Sequence, residues 1–353
     1  MRARLHRFAD DLATGALRVP RLYPDGFGSQ LEIERIGEHI RRYERSRRPP
    51  TLNFTLGGWR RFAAGSVRRG WFRSPTLHLR LPEASRTARF EWIQPDEHHA
   101  GAVVLHLAAS GEVGFFARRL LARRLLRFGI ASFILENPFY GSRRPSGQTH
   151  AALRSVRDQF AMNFATVEEG RAILQTLKDM GYSYLGVTGY SQGGVMAAFC
   201  AALTDFPVAV AARGMADSVA DLFTRDNFSQ IVLWDRLAID CGSEKRARHV
   251  FRRALEVVRV SQFPPPLCPE AAILLASRYD RFIDPGEARR LHRHWRGSEL
   301  RWLTAGHVTG LFLNVNQHVI TIRDAFTKLQ NHVGGKGSHT TRVPALPLIE
   351  SIR

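Results

Sequence analysis

Apolar positions along the chain fall into two alternating rhythms. Ala102–Ala108 and Ile130–Leu135 are almost continuous apolar runs of strand length, as expected for strands buried on both faces. Shorter strand-length runs occur at 184–188, 208–212 and 272–276, and Leu300-Arg301-Trp302-Leu303 reads as the last strand. Between them lie stretches with 3.6-residue spacing, at about 115–127, 152–179, 195–203, 286–296 and 313–330, which predict helices. Thr76–Leu81 and Thr87–Ile93 alternate apolar with polar and predict an antiparallel pair ahead of this series. Strand-helix alternation of this kind makes an α/β protein with a mostly parallel central sheet and helices on both faces.

The flanks follow other patterns. Residues 1–50 read as helical and basic, broken at Gly26-Phe27-Gly28, amphipathic over 31–40 and stopped by Pro49-Pro50. The division expected is a basic, mainly helical extension over 1–70, a catalytic domain over 71–330, and a loose tail over 331–353. Within the domain, 214–266 has helical fragments and no strand signal, and it closes on Pro264-Pro265-Pro266. That stretch reads as a helical cap inserted between two strands.

Composition narrows the class. Of 353 residues 44% are hydrophobic and 24% charged, which suits a soluble globular chain, and no run is long enough to span a bilayer. The start lacks the apolar stretch of a signal peptide, and Asp10 and Asp11 are unusual in a transit peptide, so a cytosol-like compartment is expected. Cys200, Cys241 and Cys268 lack metal-ligand spacing and are too few for a disulfide framework. No cofactor is called for. The net charge is +19, almost all from arginine, but the arginines are dispersed and no nucleic-acid-binding pattern is present. Nucleic acid is therefore not an expected partner, whereas peripheral contact with an anionic membrane stays open.

The candidate chemistry centres on Gly189-Tyr190-Ser191-Gln192-Gly193-Gly194, a G-x-S-x-G pattern between a predicted strand and a predicted helix. Such a turn pushes the serine hydroxyl out of the fold. With 29 glycines the pattern alone is weak, and an ordinary Gly-Ser turn would also produce it. A serine nucleophile needs a base, and the base needs an orienting carboxylate. Asp280 follows the 272–276 run, and His307 follows the 300–303 run. Asp284 and Asp217 are rival acids. The oxyanion calls for two backbone donors, one at Gln192 and one at Ser110 or Gly111 in the loop after 102–108. Phe115, Phe139 and Tyr140 are candidate pocket residues beneath the 214–266 cap.

On these pieces the chain resembles the α/β-hydrolase superfamily over roughly 75–330. Within it the chain is similar to the branch called alpha/beta hydrolase domain-containing protein 18. The similarity rests on Gly65-Ser66 through Trp71-Phe72-Arg73-Ser74-Pro75, Leu135-Glu136-Asn137-Pro138-Phe139-Tyr140-Gly141, the elbow, the Asp280 loop and Gly306-His307-Val308. The branch usually has methionine where Gln192 stands, a change that keeps the backbone donor. The resemblance implies a serine hydrolase of small-molecule or lipid carboxylic esters. A catalytically silent scaffold binding lipid or protein, or an acyltransferase, are the alternatives.

Overall fold

The computed structural model describes residues 2–15, 21–42, 48–95, 101–225 and 227–334. Its elements are α1 (Arg2–Gly15), α2 (Gln30–Arg41), β1 (Thr55–Leu56), β2 (Arg60–Phe62), β3 (Gly65–Arg73), β4 (Thr87–Gln94), β5 (Ala102–Leu107), α3 (Phe116–Leu125), β6 (Ile130–Leu135) and α4 (Val156–Asp179). The chain continues through β7 (Tyr184–Tyr190), α5 (Gln192–Ala202), β8 (Ala209–Arg213), α6 (Ala220–Thr224), α7 (Trp234–Cys241), α8 (Glu244–Glu256), β9 (Ala272–Ser277), α9 (Pro285–His294), β10 (Glu299–Leu303), α10 (His307–Leu313) and α11 (Val315–Gly334).

One sheet runs in the order β1-β3-β4-β6-β5-β7-β8-β9-β10, with β2 paired to β3. From β6 to β10 every neighbouring pair is parallel, while β3, β4 and β6 pair antiparallel. The apolar runs explain the layers. Val103 and Leu105 of β5, with Val187, Val210 and Leu274, pack into the cluster built by α4 and α5. Ala102 and Val104, with Ala209, Ala211 and Ile273, face α3 and α11 on the other side. Period-2 alternation is thus present in these strands, but both phases are apolar because both faces are covered. The expected α/β fold, with helices on both faces, is what the chain adopts.

The first antiparallel strand lies elsewhere than expected. Leu77–Leu79 is a single 3₁₀ turn, and β3 at Gly65–Arg73 pairs with β4 instead. Pro75 and Pro82 lack ladder donors, and Arg80 at φ 49° turns the chain out of the extended region. The pattern of β3 is masked by arginines that do strand work: Arg68 lies over the Trp59 and Trp92 rings, and Arg69 pairs with Glu91. A boundary at residue 70 therefore cuts through a strand, and the stretch from Thr55 onward belongs to the sheet. The tail expectation fails as far as Gly334, which ends α11, and 335–353 lie outside the described residues.

The N-terminal segment is woven into the rest. Leu22 exchanges backbone hydrogen bonds with Ile231 and Leu233 of the insertion, and Tyr23 and Phe27 set their rings against Phe251 of α8. α2 buries Ile33, Ile36 and Ile40. The insertion between β8 and β9 therefore packs with residues 22–40, a stretch distant in sequence.

Candidate active site

Strand β7 lies at the middle of the sheet, and Ser191 follows it at φ 54°, ψ −122°, a conformation costly for any side-chain-bearing residue. The surrounding glycines are required by close approach. A Cβ on Gly189 would lie 2.2 Å from the Gly193 backbone, and one on Gly193 would lie 2.5 Å from the Leu107 carbonyl oxygen. The turn then feeds α5, whose first backbone N–H is that of Gln192.

Asp280 and His307 lie beyond the ends of β9 and β10, adjacent parallel strands, which brings their loops together. His307 Nδ1 is 2.7 Å from Asp280 Oδ2. The other carboxylate oxygen, Oδ1, accepts from the N–H groups of Phe282 and Ile283 and so fixes the orientation of the acid. The rivals do other work. Asp284 caps α9 by accepting from the Gly286 N–H. Asp217 accepts from the N–H and hydroxyl of Ser261 and so ties the cap to the loop after β8. Of the three carboxylates, Asp280 is the one bonded to His307.

His307 is held on several sides. Its backbone oxygen accepts from the Tyr190 hydroxyl at 2.6 Å, which couples it to the residue before Ser191. Its ring packs 5.0 Å from Phe282 and 5.2 Å from Tyr190. Its N–H donates to Asp10 Oδ2 at 2.7 Å. Asp10, fully buried, also accepts from the N–H groups of Val308 and Arg281, so one carboxylate of α1 joins the Asp280 and His307 loops. Gly306 permits the approach, because a Cβ there would lie 2.7 Å from Asp10 Oδ2. Burial pulls the His307 imidazole down, but the charge and hydrogen bond of Asp280 and the charge of Asp10 outweigh it and raise its pKa.

Ser191, His307, Ser110 and Gly111 line one cavity of about 370 Å³, together with Tyr190, His150, Phe282, Leu311 and Phe312. Ser191 and Ser110 also border a second, narrower space of about 70 Å³. Phe160 and Phe164 of α4, Phe199 of α5 and Phe223 and Phe228 of the cap wall that slot. Gln192 lies on it with its amide nitrogen donating to Asn163 Oδ1 at 2.7 Å. The 109–114 loop is braced from below: Glu112 accepts from the Ala109 N–H and from Arg118, whose guanidinium also reaches the carbonyls of His106 and Gly114.

The three expected pocket aromatics are placed differently. Phe115 packs against Ile93, Ala122, Leu126 and Ile134 on the outer side of the sheet. Phe139 is fully buried, in a left-handed conformation at φ 64°. Tyr140 is buried behind the 109–114 loop; burial raises its phenol, and hydrogen bonds with the Ser110 side chain and the Gly111 backbone draw it back. It supports that loop and does not wall the pocket. Neither the aromatics that wall it nor the buried Asp10 carries a local signature in the sequence. Helical spacing around 160 and 199 marks those phenylalanines as core, and nothing local to Asp10 signals a partner almost 300 residues away.

Two solved structures share the architecture. Acetyl xylan esterase 1 from Thermoanaerobacterium sp. superposes with a TM-score of 0.59 at 15% identity, covering 87% of this chain and 96% of its own. Acetyl xylan esterase from Paenibacillus sp. gives 0.56 at 13% identity, covering 87% and 97%. At such identities the likeness concerns the fold alone. The family model described as alpha/beta hydrolase domain containing 18 matches residues 21–250 and 240–328. With most of its length matched by that model, this chain belongs to the alpha/beta hydrolase domain containing 18 family.

Proposed function

We propose that this protein is a serine hydrolase that cleaves the carboxylic ester of an acyl lipid through Ser191, His307 and Asp280. The observation that carries the reading is the 2.7 Å contact between His307 Nδ1 and Asp280 Oδ2, in a cavity that also holds the strained Ser191. With Nδ1 committed to the carboxylate, Nε2 is the nitrogen free to take the Ser191 proton. Ser191 Oγ attacks the ester carbonyl carbon. The backbone N–H of Gln192 and one from the Ser110–Gly111 turn receive the negative oxygen. Collapse breaks the bond to the alcohol, which leaves with the proton from His307. Water, deprotonated by the same nitrogen, then releases the acid and restores Ser191.

The apolar slot suits the acyl chain, and the wider cavity suits the alcohol part. Exposed Leu5 and Phe8 on α1, and Phe312 and Leu313 on α10, lie on helices that pack together beside that cavity, in a chain of net charge +19. An apolar rim within a basic surface suits an anionic bilayer presenting the substrate.

Ser191→Ala is expected to abolish p-nitrophenyl ester hydrolysis and fluorophosphonate labelling while the circular dichroism spectrum is retained. Undiminished labelling of that variant would sink the assignment, and absence of labelling in the folded wild type would favour a silent scaffold. Binding to acidic over neutral vesicles at low salt tests the membrane part. Product analysis with added acceptor alcohols separates hydrolysis from acyl transfer.

A further inference from the structure

We propose that His39, His78 and Glu168 form a binding site for a divalent transition-metal cation of the zinc type, which clamps the N-terminal segment onto the hydrolase body. His39 lies on α2, His78 in the 3₁₀ turn Leu77–Leu79, and Glu168 on α4. Their ligand atoms all lie within 4.8 Å of one another. His39 Nε2 is 3.3 Å and His78 Nε2 is 3.2 Å from the same oxygen, Glu168 Oε1.

Those two distances are compatible with a shared cation. Three ligands around zinc at about 2.0–2.1 Å lie at the corners of a tetrahedron with edges of about 3.3 Å. The two histidine–Glu168 distances match two of the three edges. Charge points the same way. The two rings are 4.4 Å apart, so two imidazolium ions would repel each other over one carboxylate, whereas two neutral imidazoles and a carboxylate are a donor set that zinc accepts.

The three segments are held in place without the ion. Glu32 of α2 pairs with Arg80 beside the turn and with Arg157 of α4. The donors are therefore preorganised, and the half-exposed histidines leave room for water as a further ligand. A cation that binds the folded chain alone would stabilise it by mass action.

The test uses the full chain without a histidine tag, stripped by chelator and titrated with Co²⁺. Uptake of about one equivalent is expected, with the visible bands of four- or five-coordinate cobalt, displacement by Zn²⁺ and a higher melting temperature. The double variant His39→Ala/His78→Ala should bind more than tenfold more weakly. Glu168→Gln, which keeps the side chain's size, should weaken binding as well, and its melting in chelator checks that it folds. Glu270→Ala, which dismantles the looser group of Cys268, Glu270 and His332, should leave uptake unchanged. No uptake by the wild type, or equal uptake by the wild type and the double histidine variant, overturns the proposal.

Discussion

The carboxylate of Asp10, on the first helix of the chain, accepts the backbone N–H of His307 at 2.7 Å. With the Val308 and Arg281 N–H groups as further donors, it fixes the start of α10 and the Asp280 loop together. Its charge also contributes to the raised His307 pKa. Asp10→Asn is expected to lower kcat/KM by about tenfold to a hundredfold, because it loosens the placement of the base. The sign of the pH effect follows from the charge. Without it the imidazolium is less favoured, so the acid limb of the kcat/KM profile moves to lower pH. A parallel loss at every pH, with no displacement of that limb, would assign Asp10 a purely structural role.

The three downstream carboxylates separate by their bonds. Asp280→Asn should reduce kcat by about 10³–10⁴, since the amide no longer favours the required tautomer and charge on His307. Asp284→Ala removes a helix cap and should cost about 1 kcal/mol of stability with little change in kcat. Asp217→Ala should loosen the cap through Ser261 and alter KM more than kcat. Steady-state kinetics beside urea melts distinguish the three.

Arg143 and Glu169 form a bidentate pair in which both side chains are fully buried, joining the segment after β6 to α4. Glu169→Ala leaves a guanidinium without its counter-charge and should destabilise the fold by about 3–5 kcal/mol. Glu169→Gln should cost less, because it still accepts one hydrogen bond. Chemical denaturation of the two variants gives the comparison.

His318 of α11 donates Nε2–H to the Gly310 carbonyl, and burial lowers its pKa from 6.5 to about 3. Since the folded value is depressed, the neutral ring contributes stability that is complete above pH 6.5 and is lost progressively as pH falls towards 3. His318→Gln should flatten the fall in urea midpoint across that window. An unchanged slope would show that other groups govern the acid limb.

Much of this molecule can be read from local pattern. The buried strands β5, β6 and β9 are legible because covering both faces leaves only apolar residues in them. The candidate residues Ser191, Asp280 and His307 stand out because each follows a predicted strand, in an order that would suit a hydrolase. β3 is not legible, because its arginines lie over tryptophans and pair with Glu91, so that a half-covered strand presents a charged sequence. The slot aromatics are not, because the spacing that puts Phe160 and Phe199 on a buried helix face is the same whether that face meets core or cavity.

The amino-acid sequence by itself determined the alternation of strands and helices, the glycine-framed elbow and the types of residue at the strand ends. These depend on hydrophobic period and backbone sterics, which act over a few neighbouring residues. Only the tertiary structure decided which carboxylate meets His307, that Asp10 braces it from the opposite end of the chain, and that His39, His78 and Glu168 converge. Such meetings depend on how strands order themselves and how helices pack across the sheet, and packing between distant segments leaves no mark in the local pattern of either partner.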